Sequence, residues 1–358
     1  MMKRVFKNIL VTGGSGFIGA NFILYLFKQG IKANVINVDK LTYAGNPENL
    51  KSVEERDNYF FYHADICDYE SIEKIFIKHN VDCVVHFAAE SHVDRSIHGP
   101  KDFIYTNILG TFNLLEICRK NWTSEFRTPN SEFLFHHIST DEVYGSLGDE
   151  GYFFETTPYD PRSPYSASKA SSDHLVSAYF HTYRLPVTIS NCTNNYGPYQ
   201  FPEKLIPLMI LNLKEGKSLP VYGDGKNIRD WLYVDDHCSG IYKIIESGRL
   251  GETYNIGGEN EWENIVLVKR LCDIMDDKFP KSVKHDSLIT YVKDRPGHDR
   301  RYAINCDKIK NELGWKQSLD FDEGLMKTID WYLENEEWIE NIKTGAYKNW
   351  LEVNYQKR

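Results

Sequence analysis

At 358 residues, with 41% apolar and 26% charged side chains, the chain can form one large domain with a smaller partner and is too rich in core-forming residues to be disordered. Its formal net charge of -9, without a dense Lys/Arg stretch, sets the long-range field against a nucleic-acid backbone, so no nucleic-acid partner is expected. Seven scattered cysteines, Cys67, Cys83, Cys118, Cys192, Cys238, Cys272 and Cys306, are never spaced C-x-x-C, which points to reduced thiols in a cytoplasmic protein and away from structural zinc or a disulfide framework.

Met1 to Lys7 leads straight into the apolar run Ile9 to Thr12, too short for a signal-peptide core, and no later run approaches a membrane span. Short β-branched and aromatic runs follow at Asn8 to Thr12, Asn34 to Val38, Tyr59 to His63, Cys83 to Phe87 and Phe133 to Ile138. Between them, helical spacing marks Phe17 to Gln29, Ser71 to His79, Phe103 to Arg119 and Tyr165 to Tyr183. This alternation predicts a doubly wound parallel sheet, which Val187 to Cys192, introduced by Pro186, could lengthen. Beyond Asn194, Gly197, Pro198, Pro202, Pro207, Pro220, Gly223 and Gly225 break the chain into shorter units. The expected division is therefore a first domain over 1–195, with a return near 230–258 that includes Tyr254 to Ile256, and a smaller C-terminal α/β domain over most of 196–358. An amphipathic segment at Phe321 to Glu334 belongs to the latter.

The turn after the first strand is Gly13-Gly14-Ser15-Gly16-Phe17-Ile18-Gly19, with Gly13, Gly16 and Gly19 spaced three apart ahead of an apolar helix. Missing side chains allow a tight turn and let a pyrophosphate approach the helix N-terminus, whose free amides and dipole favour negative charge. Asp39 follows Gly19 by twenty residues, at the end of the second strand. There a carboxylate can accept hydrogen bonds from ribose hydroxyls and would repel a 2′-phosphate. The pattern predicts a Rossmann-type domain that binds NAD in preference to NADP, with Lys40 beside Asp39 as the one contrary charge.

Tyr165 and Lys169 stand four residues apart, on one helix face and one turn from each other. A free tyrosine, with a pKa of about 10, is a poor base at neutral pH, and a neighbouring cation stabilises its phenolate. Upstream lies Ser139-Thr140-Asp141-Glu142-Val143-Tyr144-Gly145. With these motifs the chain resembles the extended short-chain dehydrogenase family, and within it the nucleoside-diphosphoglucose 4,6-dehydratases. The family's epimerases and decarboxylases share the Ser/Thr but lack the adjacent Asp-Glu pair. They remain the enzymatic alternative, and a non-catalytic dinucleotide-binding regulator the other. Removing water from a keto sugar takes a base for the C5 proton and an acid for the departing C6 hydroxyl, roles that two carboxyls with separated pKa values can divide. The resemblance makes Asp141 the acid and Glu142 the base, with Thr140 hydrogen-bonding the C4 hydroxyl beside Tyr165.

Ala88 to Ser96, Asn194 to Tyr199, Phe201 to Pro207, Ile228 to Trp231 and Asp294 to Asp299 extend the resemblance over essentially the whole chain. It implies an NAD site lined by Phe17, Ile18, Asp39, Lys40, Leu41, Thr42, Asp65, Ile66, Phe87, Ala88, Ala89, Ser91, Thr106 and Asn195, besides the three glycines, Tyr165 and Lys169. It implies a sugar-nucleotide site of Ser91, Thr140, Asn194, Lys204, Leu205, Pro220, Val221, Tyr222, Arg229, Asn264, Asp294, Arg295, Pro296, Gly297 and His298. Lys204, Arg229 and Arg295 have the charge to meet a diphosphate, the arginines in bidentate fashion. The resemblance further implies dTDP-glucose as substrate, no metal, and a homodimer paired through the helices near Phe103 to Arg119 and Tyr165 to Tyr183.

Overall fold

The apolar runs of the first half become strands because, in a parallel sheet, both faces are covered and every position of an inner strand is buried. The structure is a computed structural model that describes residues 3–122, 132–280, 282–294 and 297–342. Its first half runs β1 (Asn8–Thr12), α1 (Phe17–Lys28), β2 (Asn34–Asp39), β3 (Tyr59–His63), α2 (Tyr69–Lys78), β4 (Cys83–His86), α3 (Val93–His98), α4 (Pro100–Phe103), α5 (Thr111–Trp122), β5 (Leu134–Thr140), α6 (Pro164–Tyr183) and β6 (Val187–Cys192). The rest comprises β7 (Asn194–Tyr196), α7 (Leu205–Glu215), β8 (Leu219–Tyr222), β9 (Ile228–Tyr233), α8 (Val234–Ser247), β10 (Thr253–Ile256), β11 (Glu261–Glu263) and α9 (Asn264–Lys278). It ends with β12 (Ile289–Val292), α10 (Asp307–Leu313), α11 (Phe321–Glu334) and α12 (Glu336–Ile342).

Seven strands pair in parallel in the order β10-β6-β5-β4-β1-β2-β3. β4 and β5 are buried at every position. One face is covered by α1 and α8, through Phe22, Ile23, Leu26, Ile241 and Ile244. The other is covered by α2, α5 and α6, through Ile72, Phe76, Leu114, Ile117 and Val176. This is the Rossmann-type, doubly wound architecture. Strand order reverses between β1 and β4, and the crevice beyond their carboxyl ends is where such sheets bind ligands.

A separate core gathers α7, α9 and α11 around Ile206, Met209, Leu267, Leu271, Leu325, Ile329 and Tyr332. Fully burying each such side chain contributes roughly 1.5–3 kcal/mol, so this smaller unit has its own means of cohesion. It carries two small sheets, β11-β9-β7 and β12-β8. Their strands of three to six residues are too short for alternation to reveal them. Between β9 and β11 the chain returns to the first unit, where α8 packs on α1 and β10 pairs with β6.

One expected helix is divided. Phe103 to Arg119 reads as continuous, but Ile104–Gly110 is a π-helical stretch between α4 and α5. Gly110 packs so closely on Ile66 that a Cβ there would lie 2.4 Å from Ile66 Cδ1. A wider turn changes the register without changing the apolar spacing that sequence reading detects, and such turns recur at functional sites.

Candidate active site

The glycine turn closes as its spacing requires. Gly13 has φ +70°, and a Cβ on it would stand 2.7 Å from the Ala88 backbone. At Gly19 a Cβ would meet Gly13 O at 2.3 Å. α1 thus starts directly against the end of β1, with Gly16 as its N-cap and no side chain satisfying its first amides. Those amides face a cavity of about 300 Å³ lined by Gly13, Gly16, Phe17, Ile18 and Gly19. Asp39, Lys40, Thr42, Asp65, Ile66, Phe87, Ala88, Ala89, Ser91, Thr106 and Asn195 continue the lining.

Asp39 is buried, and burial raises its pKa, while amide hydrogen bonds from Leu41 and Ser15 act the other way. Those bonds are 2.8 Å and 2.9 Å long. They fix the carboxylate at the cavity wall with lone pairs to spare for a diol. Leu41 contributes its amide, from a left-handed conformation at φ 53°, but its side chain is outside the lining. The contrary charge is accounted for, because the Lys40 ammonium sits 2.7 Å from Asp65 Oδ2. Asn195 Oδ1 and Gln200 Oε1 are buried at this cavity without a hydrogen-bond partner. An adenosine diphosphate-ribose with hydroxyls, oxygens and a flat base fits a cradle of this composition.

At the deeper end of the cavity, β5 delivers Ser139 and Thr140 two residues beyond the apolar run. Asp141–Tyr144 then form a single 3₁₀ turn whose N-cap is Thr140. Glu142 N donates to Thr140 Oγ1 at 3.3 Å, and that hydroxyl reaches Asp141 Oδ1 at 3.4 Å. The neighbouring carboxyls differ in environment, Asp141 being 1% exposed and Glu142 half-buried. Burial first, then the charges of Glu142 and Asp230, raise the Asp141 pKa well above the ordinary range, with Arg229 and Thr140 opposing. Burial thus favours the protonated form of Asp141.

α6 brings Tyr165 and Lys169 to the same wall, after a capping box in which Ser163 and Ser166 satisfy each other's backbone amides and Pro164 opens the helix. The phenol is pushed well above its ordinary pKa by burial and by Glu142, and a hydrogen bond with Thr140 counters this. Lys169, whose pKa burial lowers, donates to Ile138 O at 2.7 Å and contacts His137 Nε2 at 3.5 Å. The expected phenol–ammonium pairing is thus a matter of one helix turn of separation and not of a direct bond.

Of the expected sugar-nucleotide residues, Ser91, Thr140, Asn194 and Lys204 line this cavity, and Lys204 Nζ donates to Ser91 O at 3.2 Å. Leu205, Pro220, Val221, Tyr222, Arg229, Asn264, Asp294, Gly297 and His298 do not. Several form a neighbouring cluster. Tyr222 OH donates to Asp94 Oδ2 at 3.2 Å, and His298 Nδ1 lies 2.6 Å from Asp294 Oδ1. Arg229 is turned under the site, donating to Ile228 O and Asp299 O with its guanidinium 4.4 Å from the Tyr302 ring centre. Arg295 and Pro296 lie outside the described residues. Sequence reading missed Tyr43, Glu90 and Glu203, all in the lining. Arg95 ties two of them together, stacking 3.7 Å over the Tyr43 ring and bonding Glu203 Oε2 at 3.1 Å. These residues are far apart in the chain and carry no spacing signal.

The model of the family described as GDP-mannose 4,6 dehydratase matches residues 10–328. A dTDP-glucose 4,6-dehydratase from Shigella flexneri is 56% identical over 359 aligned positions, covering 98% of this chain and 99% of the relative. Among solved structures, the dTDP-glucose 4,6-dehydratase of Bacillus anthracis in complex with NAD is 47% identical, with a TM-score of 0.84 over 94% of this chain and 100% of that one. UDP-glucose 4-epimerase from Thermotoga maritima shares the fold at 31% identity and a TM-score of 0.81, over 92% and 99% of the two chains.

Proposed function

The chain belongs to the GDP-mannose 4,6-dehydratase family of the extended short-chain dehydrogenases, and from that membership and its reacting groups we propose that it converts dTDP-glucose to the 4-keto-6-deoxy sugar nucleotide. The observation that carries the reading is the Asp141-Glu142 pair, a buried carboxyl whose pKa burial raises beside a more exposed one, at the strand end that faces Tyr165.

NAD would be held by the glycine turn and Asp39, and when bound would supply the hydride acceptor for C4 and the hydride donor for C6. Everything else falls to the chain's own side chains. Tyr165 removes the C4 hydroxyl proton, with Thr140 holding that hydroxyl and Lys169 supplying the positive charge the buried phenolate requires. The ketone formed acidifies C5, Glu142 takes the C5 proton, Asp141 protonates the C6 hydroxyl so that it leaves as water, and a proton returns from Glu142 to C5 as hydride reaches C6. Asp141 suits this role because burial favours its protonated form, as an acid requires. Residues 1–195 hold the cofactor, and the unit formed mainly by 196–358 closes over the nucleotide with Lys204 and Asn194 at the shared wall.

Incubation with dTDP-glucose is expected to give a product lighter by one water, with UDP-glucose turned over more slowly. A product of unchanged mass, epimerised at C4, would sink the reading in favour of the epimerase. The fold alone does not separate the two, because the Thermotoga maritima enzyme shares it.

The homodimer is part of the same proposal. Ile104, Tyr105, Leu109 and Phe112, on the π-helical stretch and the start of α5, are exposed at 39% or more, as is Tyr183 at the end of α6. Exposed apolar side chains on these packed helical segments are what a subunit interface would cover. Light scattering is expected to give the mass of two chains, and Leu109→Lys with Phe112→Lys should give that of one. A wild-type mass of one chain would refute the pairing. No helix among the described residues is long and apolar enough to cross a membrane, and all seven cysteines are unpaired, which supports placement in the reducing cytoplasm.

A further inference from the structure

α6 carries three ionisable residues one turn apart on one face, Tyr165, Lys169 and Asp173. The first two serve the proposed chemistry, and the third has no part in it. Yet Asp173 is 2% exposed, Lys169 5% and the intervening His137 0%. Asp173 Oδ2 accepts from Ser139 Oγ at 2.7 Å and from Tyr159 OH at 3.0 Å. Its Oδ1 is 3.2 Å from His137 Nε2, the same nitrogen that lies 3.5 Å from Lys169 Nζ. The carboxylate and the ammonium thus meet at one buried imidazole nitrogen.

A buried ammonium is costly unless an opposite charge compensates it. The ionisable groups facing Lys169 are His86 from β4, His137 from β5, Cys192 from β6, and Tyr165 and Asp173 from α6 itself. Burial lowers both imidazoles far enough to keep them neutral. It also pushes the Cys192 thiol up to about 12 and the Tyr165 phenol well above its usual value. Asp173 itself is pushed up to about 6 by burial, against the Lys169 charge and the hydrogen bonds from Ser139 and Tyr159. Tyr144 and His174 are its other ionisable neighbours. In this set Asp173 alone is negative at neutral pH.

We propose that Asp173 is the counter-ion of Lys169, meeting it at the shared Nε2 of the neutral His137, and so keeps the buried lysine an ammonium and Tyr165 able to ionise. The role is that of a positioning residue, and it rests on the reading of Tyr165 and Lys169 as the reacting pair. The sign of its effect follows from linkage. An ammonium persists below its pKa, a carboxylate nearby raises that pKa, and removing the carboxylate therefore lets the ammonium be lost at lower pH. Below about pH 6 Asp173 is itself protonated, and a neutral asparagine in its place changes little there.

The test is the single-turnover rate of C4 oxidation by NAD-loaded enzyme, measured across pH. Asp173→Asn is expected to match the wild type below about pH 6, to fall behind it by about tenfold or more above that, and to bring the alkaline limb down by about one pH unit. A ratio to wild type that stays constant with pH would overturn the proposal, since a purely structural defect slows every pH alike. Tyr159→Phe is the second arm, for the case in which the first variant does not fold. It removes a bond that favours the ionised Asp173 and should move the acid limb upward, whereas an unmoved limb counts against the counter-ion. Lys169→Met separates this from the underlying reading. If that variant oxidises C4 at the wild-type rate, the reacting pair is misassigned, whatever Asp173 does.

Discussion

Glu142→Gln is expected to leave C4 oxidation intact while abolishing exchange of the C5 proton with solvent, and Asp141→Asn is expected to keep that exchange while slowing loss of water. Each should cost about 10²–10⁴-fold in dehydration, the usual worth of one positioned proton-transfer group. The contrast arises from environment more than from residue type. Asp141 is buried, and that burial together with the charges of Glu142 and Asp230 favours its protonated form. Glu142, half-buried on the same 3₁₀ turn, retains access to solvent and can carry a proton away. Both substitutions preserve size and the Thr140-capped turn. Rapid-mixing measurements of NADH formation, with C5 exchange followed in heavy water, separate the two steps. Equal dehydration rates in both variants and wild type would reduce the pair to turn residues.

Much of this was legible because the chemistry depends on short-range patterns. Gly13, Gly16 and Gly19 lie on one turn, Tyr165 and Lys169 on one helix face, and Asp141 and Glu142 are neighbours, so each motif reads as a local string. The sheet was equally open to reading, because inner strands such as β1 and β6 are short runs rich in apolar and β-branched residues, β1 followed by Gly13 and β6 introduced by Pro186. What sequence reading lacked depends on register or distance. The π-helical turn at Ile104–Gly110 follows from the contact of Gly110 with Ile66, across forty-four positions of chain, and leaves the apolar spacing unaltered. Arg95, Tyr43 and Glu203 meet only in three dimensions. Asp173 is an instructive intermediate case. It continues the Tyr165-Lys169 spacing by one more turn, yet a carboxylate on a helix is usually solvated, and only its burial against His137 distinguishes it.

A substrate deuterated at C4 should yield product deuterated at C6, with no net release of NADH, and mixed labelled and unlabelled substrate should show no crossover between molecules. The first two results follow from the redox balance of a dehydration. The sugar is oxidised at C4 and reduced at C6, so the hydride removed is also the hydride returned. The third follows from retention of the sugar through both half-reactions. The reacting end of the cavity is walled by Thr140, Asp141, Tyr165 and Lys169, each 8% exposed or less, so all the reacting groups lie at one place. Retention is also favoured chemically, because Asp141 must act on the same molecule that Tyr165 has just oxidised. Mass spectrometry of the product, with fragmentation to place the label, makes the distinction. A simple dehydrogenase would accumulate NADH with the label in the cofactor, and an epimerase would restore deuterium to C4. Crossover would show that the intermediate leaves between steps.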